Sequence, residues 1–165
     1  MARELLFISF VMTEKHKTVR QPAKKGDFGG KIVFLVDDDK LLLDFEQMLL
    51  VSENIPFLTF ENAESAWAAF KEMKVKPALI ISDYQMGRMN GLQLLEKAKE
   101  HSPRLKTMLV SGTVESDVIE TAAVKIDVFI PKPFRAAHFL ETAKTLLNHG
   151  PKRKKVDGKV KQLKK

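Results

Sequence analysis

The chain has 165 residues, of which 44% are hydrophobic and 30% charged, so it is long enough for one sizeable core and short for two. It contains no cysteine, which excludes disulfide frameworks and thiolate metal sites and is compatible with a cytoplasmic protein. The net charge of +7 belongs to the ends of the chain, because residues 151–165 carry +7, residues 1–30 carry +3, and the body between them is mildly acidic.

From Lys31 onward, short apolar runs alternate with helical patterns, which is typical of successive β-α-β units around a parallel sheet. The runs are mostly continuous, as expected for parallel strands that helices cover on both faces. The predicted strands are Ile32–Val36, Phe57–Phe60, Leu79–Ser82, Thr107–Val110 and Val128–Ile130. The sequence therefore predicts an α/β fold with a doubly wound, five-stranded parallel sheet.

Five helices are predicted between and after these strands. The first, about Lys40–Val51, follows Asp39 as an N-cap. Its apolar residues at three- and four-residue spacing are Leu42, Phe45 and Leu49, with Leu41 and Met48 as further members. The other predicted helices are Ala63–Met73, Leu92–His101, Ser116–Val124 and Ala136–Leu147. In the second helix Ala66, Trp67 and Phe70 share one face, so Trp67 is expected in the core.

The two ends of the chain differ from the body. Residues 13–30 and 151–165 lack apolar periodicity, so they cannot bury enough surface to offset the entropy lost on ordering. The sequence 148–151, NHGP, is a strong helix-stop signal. We therefore expect a flexible extension over residues 1–30, one folded domain over 31–148 and a flexible basic tail over 149–165.

The apolar run Leu5–Met12 is the one candidate for a targeting segment. It is far shorter than the roughly 18 apolar residues that span a bilayer. Charged residues follow it where a signal peptide would have small cleavage-site residues. We expect no membrane span and no signal peptide, and Met12 is an alternative start of the chain.

In open parallel sheets, ligands bind beyond the carboxyl ends of the strands. The polar residues that follow the predicted strands are Asp37, Asp38 and Asp39 after the first, Asp83 after the third, Ser111 after the fourth and Lys132 after the fifth. The sequence therefore places acids, a hydroxyl and an amine at one edge of the sheet, which we call the rim.

Four segments of the chain resemble the receiver domain of bacterial two-component response regulators. They are KIVFLVDDD (31–39), SDYQMGRMNG (82–91), VSGT (110–113) and FIPKPF (129–134), and the resemblance extends from Lys31 to about Asn148. It implies a flavodoxin-like strand order 2-1-3-4-5. It also implies a phosphorylation-dependent switch that receives its phosphoryl group from a histidine kinase or phosphotransfer protein.

The resemblance assigns roles to the rim. Asp83 is the implied phospho-acceptor, Asp37 and Asp38 form the acidic pair, and the backbone carbonyl of Gln85 completes the protein ligands of Mg²⁺ or Mn²⁺. Crowded carboxylates repel one another, and a hard cation with oxygen ligands relieves that repulsion.

The same resemblance implies that Lys132 pairs with Asp83 and then with the phosphoryl group, and that Lys132–Pro133 is a cis peptide bond. Ser111 matches the Ser/Thr that donates to a phosphoryl oxygen, and Phe129 matches the aromatic switch position.

Asp39 is interpreted as a helix cap, while Asp117 and Asp127 are expected to be solvated. The four histidines lie outside the expected rim. Two features depart from the family pattern: Gly87 replaces a proline, and Val124-Lys125-Ile126 replaces a small, glycine-containing link.

Two alternative functions remain open from the sequence. Asp37 and Asp39 also resemble the nucleophile and acid/base pair of haloacid-dehalogenase-type phosphatases. That family needs a second acidic pair after the lysine, and here only Glu141 and Asp157 remain. The basic residues 151–165 suit weak polyanion binding, but no aromatic residue interleaves them.

No recognisable output domain follows Asn148. We therefore expect a stand-alone receiver that signals through protein contacts on its fourth helix, fifth strand and fifth helix. The sequence does not identify the downstream target.

Overall fold

The structure, a computed structural model, describes residues 30–112 and 125–149. Within these residues the strands are β1 (Val33–Val36), β2 (Phe57–Phe60), β3 (Leu79–Asp83), β4 (Lys106–Ser111) and β5 (Val128–Pro131). The helices are α1 (Lys40–Ser52), α2 (Ala63–Glu72), α3 (Gly91–His101) and α4 (Ala136–His149). The predicted helix Ser116–Val124 lies outside the described residues, so α4 is the fifth of the predicted helices.

The five strands form one parallel sheet in the order β2-β1-β3-β4-β5, which confirms the expected topology. The order reverses at β1, because β1 pairs with β2 on one side and with β3 on the other. Val36 lies opposite both Phe60 and Ser82, so β1 and β3 end side by side. This register brings the residues that follow β1 next to those at the end of β3.

Helices cover both faces of the sheet, as the continuous apolar strands predict. Successive residues of a strand point to opposite faces. Phe34 packs in a core that contains Ala66 and Leu95 of α2 and α3. Leu35 packs in a second core that contains Leu43 of α1 and Phe139 of α4. The site at the rim therefore stands on a sheet that is fixed from both sides.

The predicted apolar stripe of α1 is wrong by one position. The residues of α1 that are buried are Leu43, Glu46 and Leu50. Of the predicted stripe, Leu42 and Leu49 are half-buried, while Leu41, Met48 and Phe45 are 84%, 64% and 38% exposed. Glu46 interrupts the buried stripe of Leu43 and Leu50. The apolar residues one position earlier, Leu42, Phe45 and Leu49, make a more regular pattern.

Side-chain caps fix where the helices begin. The carboxylate of Asp39 accepts hydrogen bonds from the backbone N–H groups of Leu41 and Leu42, which confirms its interpretation as the N-cap of α1. Asn90 and Gln93 form a reciprocal capping box at the start of α3. Both helices therefore begin at fixed points beside the rim.

Asp127 is not solvated, contrary to the expectation from the sequence. Its carboxylate pairs with Lys99 at 2.7 Å and with Lys106 at 2.9 Å, and it accepts from the backbone N–H of Thr107 at 3.0 Å. These partners lie on α3 and β4, so Asp127 holds the chain that enters β5 against both. No helix within the described ranges is long and apolar enough to cross a membrane.

Replacing Asp127 by Ala is expected to lower the free energy of unfolding by about 1–3 kcal/mol, because it leaves two half-buried ammonium groups without their partner. Burial acts to raise the pKa of Asp127, but hydrogen bonds from Lys99, Lys106 and Thr107 outweigh it and hold the pKa below its ordinary 3.8. The stabilisation is therefore present above pH 3.8 and disappears as the pH falls through the lower, folded-state pKa.

Denaturant unfolding at neutral and acidic pH measures the difference between wild type and Asp127→Ala. Glu61→Ala is the matched control, because the Glu61–Lys40 pair is 4.0 Å long and exposed, and its loss should cost no more than about 0.5 kcal/mol. An Asp127→Ala deficit that equals the control, or that stays constant down to low pH, contradicts the assignment.

Candidate functional site

The rim brings two buried carboxylates together. Asp37 directly follows β1 and is 1% exposed, while Asp83 is the last residue of β3 and is 8% exposed. The ammonium of Lys132, which follows β5, lies 2.5 Å from Asp83 Oδ1 and 3.0 Å from Asp37 Oδ2. Lys132 therefore reaches past β4 and bridges the two acids.

The charges at this bridge are strongly coupled. Desolvation acts to lower the pKa of Lys132, but its hydrogen bonds to Asp83 and Asp37 outweigh this and raise the pKa above its ordinary 10.5. Burial raises the pKa of Asp37 above 3.8 despite the contacts with Lys132 and the Asp39 N–H. One ammonium thus contacts two carboxylates. The rim can therefore be stabilised by further positive charge.

The loop after β1 is folded around Asp37. Asp37 Oδ1 accepts a hydrogen bond from the backbone N–H of Asp39 at 2.8 Å, while Oδ2 faces Lys132. Asp39 in turn caps α1. Asp38, between them, is exposed at the rim. The three consecutive acids therefore have three different environments.

The end of β3 is held against the start of α3 by a close approach that only glycine permits. The N–H of Gly91 donates to the carbonyl of Tyr84 at 2.9 Å. A Cβ on Gly91 would lie 1.8 Å from the backbone oxygen of Asp83 and 2.7 Å from Ser82 Oγ. Gly91 thus fixes the backbone of Asp83. The sequence offers a weak signal for this role, namely a glycine at the first position of a helix, where glycine is a poor helix former.

Ser111 and Phe129 lie on the two strands beyond β3. Ser111 ends β4 and is buried, and its carbonyl accepts from the N–H of Lys132 at 2.8 Å. Phe129 lies within β5, is half-buried, and packs against the core under α2 and α3. The Lys132–Pro133 bond is cis, as expected. Ser111 therefore belongs to the rim. Phe129 lies two residues before Pro131, the partner of Ser111 in β5, and so is further from the rim.

Sequence reasoning missed Glu46, an acid that α1 points into the core. Its side chain is 2% exposed, and it interacts electrostatically with Asp37, Asp83 and Lys132. The signal in the sequence was its position three residues after Leu43 and four before Leu50, on the stripe that packs against the sheet.

The donor chemistry of the rim fits a hard divalent cation. Asp37, Asp38 and Asp83 supply carboxylates, and Gln85 lies in the exposed loop directly after β3. Oxygen donors of this kind suit Mg²⁺ or Mn²⁺. Within the described ranges, no three acidic or histidine side chains are gathered closely enough to form a metal site by themselves. A cation here would therefore depend on backbone oxygen and water as well.

The body of the chain matches one protein family. Residues 33–144 match the family described as the response regulator receiver domain. The DNA-binding transcriptional regulator NtrC of Salmonella typhimurium is 28% identical over 120 residues, which are 72% of this chain and 25% of that protein. The transcriptional regulatory protein YvrH of Bacillus subtilis is 31% identical over 103 residues, which are 62% of this chain and 43% of that protein. The matched region thus spans less than half the length of these two relatives.

Solved structures show the same unit. A CheY-like response regulator receiver domain protein from Methanospirillum hungatei is 27% identical with a TM-score of 0.66, and the match covers 72% of this chain and 94% of that one. The receiver domain of NtrX from Brucella abortus is 29% identical with a TM-score of 0.64, and the match covers 72% and 99%. The similarity therefore covers 72% of this chain and nearly all of each of the two solved domains.

Gly91→Ala is expected to lower the free energy of unfolding by about 2 kcal/mol or more, because its Cβ would overlap the backbone of Asp83 and force β3 and α3 apart. Gly87→Ala is the matched control. A Cβ there meets nothing within 4 Å, so the substitution should be neutral or stabilise by about 0.4–1 kcal/mol. Urea unfolding of both variants checks this, and equal effects at the two positions would contradict the role of Gly91.

Proposed function

The chain belongs to the response regulator receiver domain family, and on this basis we propose that it is a phosphorylation-dependent signalling switch whose phospho-acceptor is Asp83. Receiver domains are signalling domains rather than enzymes that turn over a substrate. The observation that carries the proposal is the contact of one ammonium, that of Lys132, with both Asp83 and Asp37 at the rim. We propose residues 31–148 as the receiver unit.

The chemistry follows from the positions of these groups. A carboxylate oxygen of Asp83 attacks the phosphorus of the donor, and the bond from phosphorus to the donor's nitrogen or oxygen breaks as the new O–P bond forms. Negative charge is then spread over the phosphoryl oxygens. Lys132 is already within hydrogen-bonding distance of Asp83 and can neutralise one of them. Ser111, at the end of the next strand, is the candidate hydroxyl donor, with Phe129 as the side chain that responds.

Asp37, Asp38, Asp83 and the backbone carbonyl of Gln85 would hold Mg²⁺ or Mn²⁺. The cation supplies the positive charge that phosphoryl oxygens need during transfer. The protein's own part is to keep carboxylates and Lys132 at fixed positions before the donor arrives.

The phosphatase alternative finds little support at Asp37. Both oxygens of Asp37 already have partners, the Asp39 N–H and Lys132, whereas within the described ranges only Oδ1 of Asp83 has one, which is Lys132. Asp39, the acid/base candidate of that alternative, caps α1.

A protein donor must contact the surface around Asp83, and an exposed apolar patch borders it. Leu41, Phe45 and Met48 of α1 are all exposed. The ring of Phe45 lies 6.4 Å from that of Phe134, two residues after Lys132. Exposed apolar groups of this kind mark interaction surfaces. The proposed partner for this patch is a histidine kinase or phosphotransfer protein, and the proposed location of the chain is the cytoplasm.

Asp83 should become phosphorylated by acetyl phosphate when Mg²⁺ is present and remain unlabelled when the cation is removed by a chelator, because crowded carboxylates repel the donor. Asp83→Asn should stay unlabelled under both conditions. Asp44→Asn, an exposed acid-to-amide change on α1, should behave like wild type. Intact-mass measurement detects the added phosphoryl group, and labelling of Asp83→Asn equal to wild type would refute the assignment.

Substitutions of Asp38 and Asp39 should have different effects, the first mainly on cation binding and the second mainly on stability. Asp38→Ala is expected to weaken Mn²⁺ binding by tenfold or more, on the order of the loss of one charged ligand. Asp39→Ala should lower the free energy of unfolding by about 0.5–2 kcal/mol through loss of the cap, with a smaller effect on Mn²⁺. Electron paramagnetic resonance of free Mn²⁺ and urea unfolding give the two values, and the reverse pattern would exchange these roles.

A further inference from the structure

Glu46 breaks the rule that buried acids have a partner. It lies on the face of α1 that packs on the sheet, with Leu43 and Leu50 buried on the same face, and its side chain is 2% exposed. Its Oε1 atom has no hydrogen-bond partner among the residues described. A buried, ionised carboxylate without a partner is costly, so such a group is kept neutral or has a use that offsets the cost.

The groups that act on Glu46 come from the rim. Asp37 after β1, Asp83 of β3 and Lys132 after β5 all interact with it electrostatically. The residues buried on α4 are apolar and share one core with Leu43 and Leu50 of α1, namely Phe139, Ala143, Leu146 and Leu147. Lys132 forms ion pairs with Asp37 and Asp83, and none joins it to Glu46 within the described ranges. Glu46 thus lies on the buried face of α1, and the charges of the rim act on it although it forms no ion pair with Lys132.

We propose that Glu46 is a further acidic residue of the phosphorylation site, a positioning residue that sets the affinity of the rim for a divalent cation without binding the cation itself. The inference rests on the proposed function, because it requires that a cation binds beside Asp37 and Asp83. The geometry points to this role because Glu46 is buried on the core face of α1, the helix capped by Asp39, whose N–H donates to Asp37, and because its Oε1 has no hydrogen-bond partner among the described residues.

The coupling is reciprocal. Burial, and then Asp37 and Asp83, raise the pKa of Glu46 to about 8, while Lys132 opposes them. A cation at the rim stabilises the ionised form of Glu46, so cation binding releases the proton of Glu46 to the solvent. By the same linkage, an ionised Glu46 strengthens cation binding. Glu46 would therefore make the cation affinity of this receiver depend on pH in the range where cells operate.

The test compares Mn²⁺ affinity in wild type, Glu46→Gln and Asp44→Asn at about pH 6.5 and about pH 9, which lie on either side of the pKa of Glu46. Between these values, wild type should gain about tenfold more affinity than Glu46→Gln, the equivalent of a cation-induced shift of one pKa unit. Asp44 lies on the same helix but is exposed, so Asp44→Asn should follow wild type.

A merely structural role for Glu46 would change stability but leave the pH profiles of Mn²⁺ affinity parallel, and parallel profiles overturn the inference. Glu46→Leu provides a second variant if Glu46→Gln fails to fold, because an apolar side chain suits the neighbours of this position. The Mn²⁺ affinity of Glu46→Leu should also lack the steep pH dependence of wild type. Proton release on Mn²⁺ addition, read with an indicator dye, should fall in both Glu46 variants.

The wild-type protein separates this inference from the proposed function. If wild type binds no Mn²⁺ at either pH, the proposed function itself fails and the inference fails with it. If wild type binds Mn²⁺ and is phosphorylated on Asp83 while the Glu46→Gln profile matches it, only the role of Glu46 is refuted.

Discussion

The bridge from Lys132 to Asp37 and Asp83 is the interaction on which the rest of the site depends. It joins three strands at one edge of the sheet, and it forms because the order β2-β1-β3-β4-β5 places the ends of β1 and β3 side by side. Buried acids are tolerated when a cation neutralises them, and breaking such a pair costs several kcal/mol (about 3–5). The register of the sheet, the two cores beneath it and the bridge are therefore mutually required. A slip of one residue in β1 or β3 would turn an acid away from Lys132.

Backbone contacts fix the acids in ways that their side chains alone would not. Asp39 caps α1 and also donates its N–H to Asp37, so the start of the helix orients the first buried carboxylate. On the other side, Gly91 lets α3 approach the backbone of Asp83 more closely than any side chain would allow. Two helix N-termini thus meet the rim, where the positive ends of their dipoles favour negative charge. The geometry around Asp83 is in this sense built by the starts of α1 and α3 as much as by the strands.

The parallel strands and the composition of the rim were predictable because both depend on local pattern, whereas the strand order was implied by the resemblance to receiver domains. Continuous apolar runs predict buried parallel strands, and polar residues directly after them, such as Asp83 and Lys132, meet at one edge. Asp127 was mispredicted because its partner Lys106 is 21 residues away in sequence, and no local pattern reports such a pair. The stripe of α1 was misplaced for a different reason: hydrophobic periodicity assigns an acid to the solvent side. Glu46 contradicts that assumption, so the whole helix was rotated in the prediction by one residue.

α1 departs from ordinary burial in two ways, and both occur close to the rim. Its core face holds the acid Glu46, while its outer face exposes Leu41, Phe45 and Met48. Hydrophobic burial alone does not explain an acid on the inner face and three apolar side chains on the outer face. Sequences that fold reliably agree at every level of structure, and the positions where they disagree are commonly functional. On α1 the disagreement has two parts, and each has a proposed role: the buried acid in setting the cation affinity of the rim, and the exposed apolar side chains in binding the phosphodonor protein. The helix that folding alone explains least well is therefore the one to which both proposals assign a role, one at the rim and one at the surface for a partner.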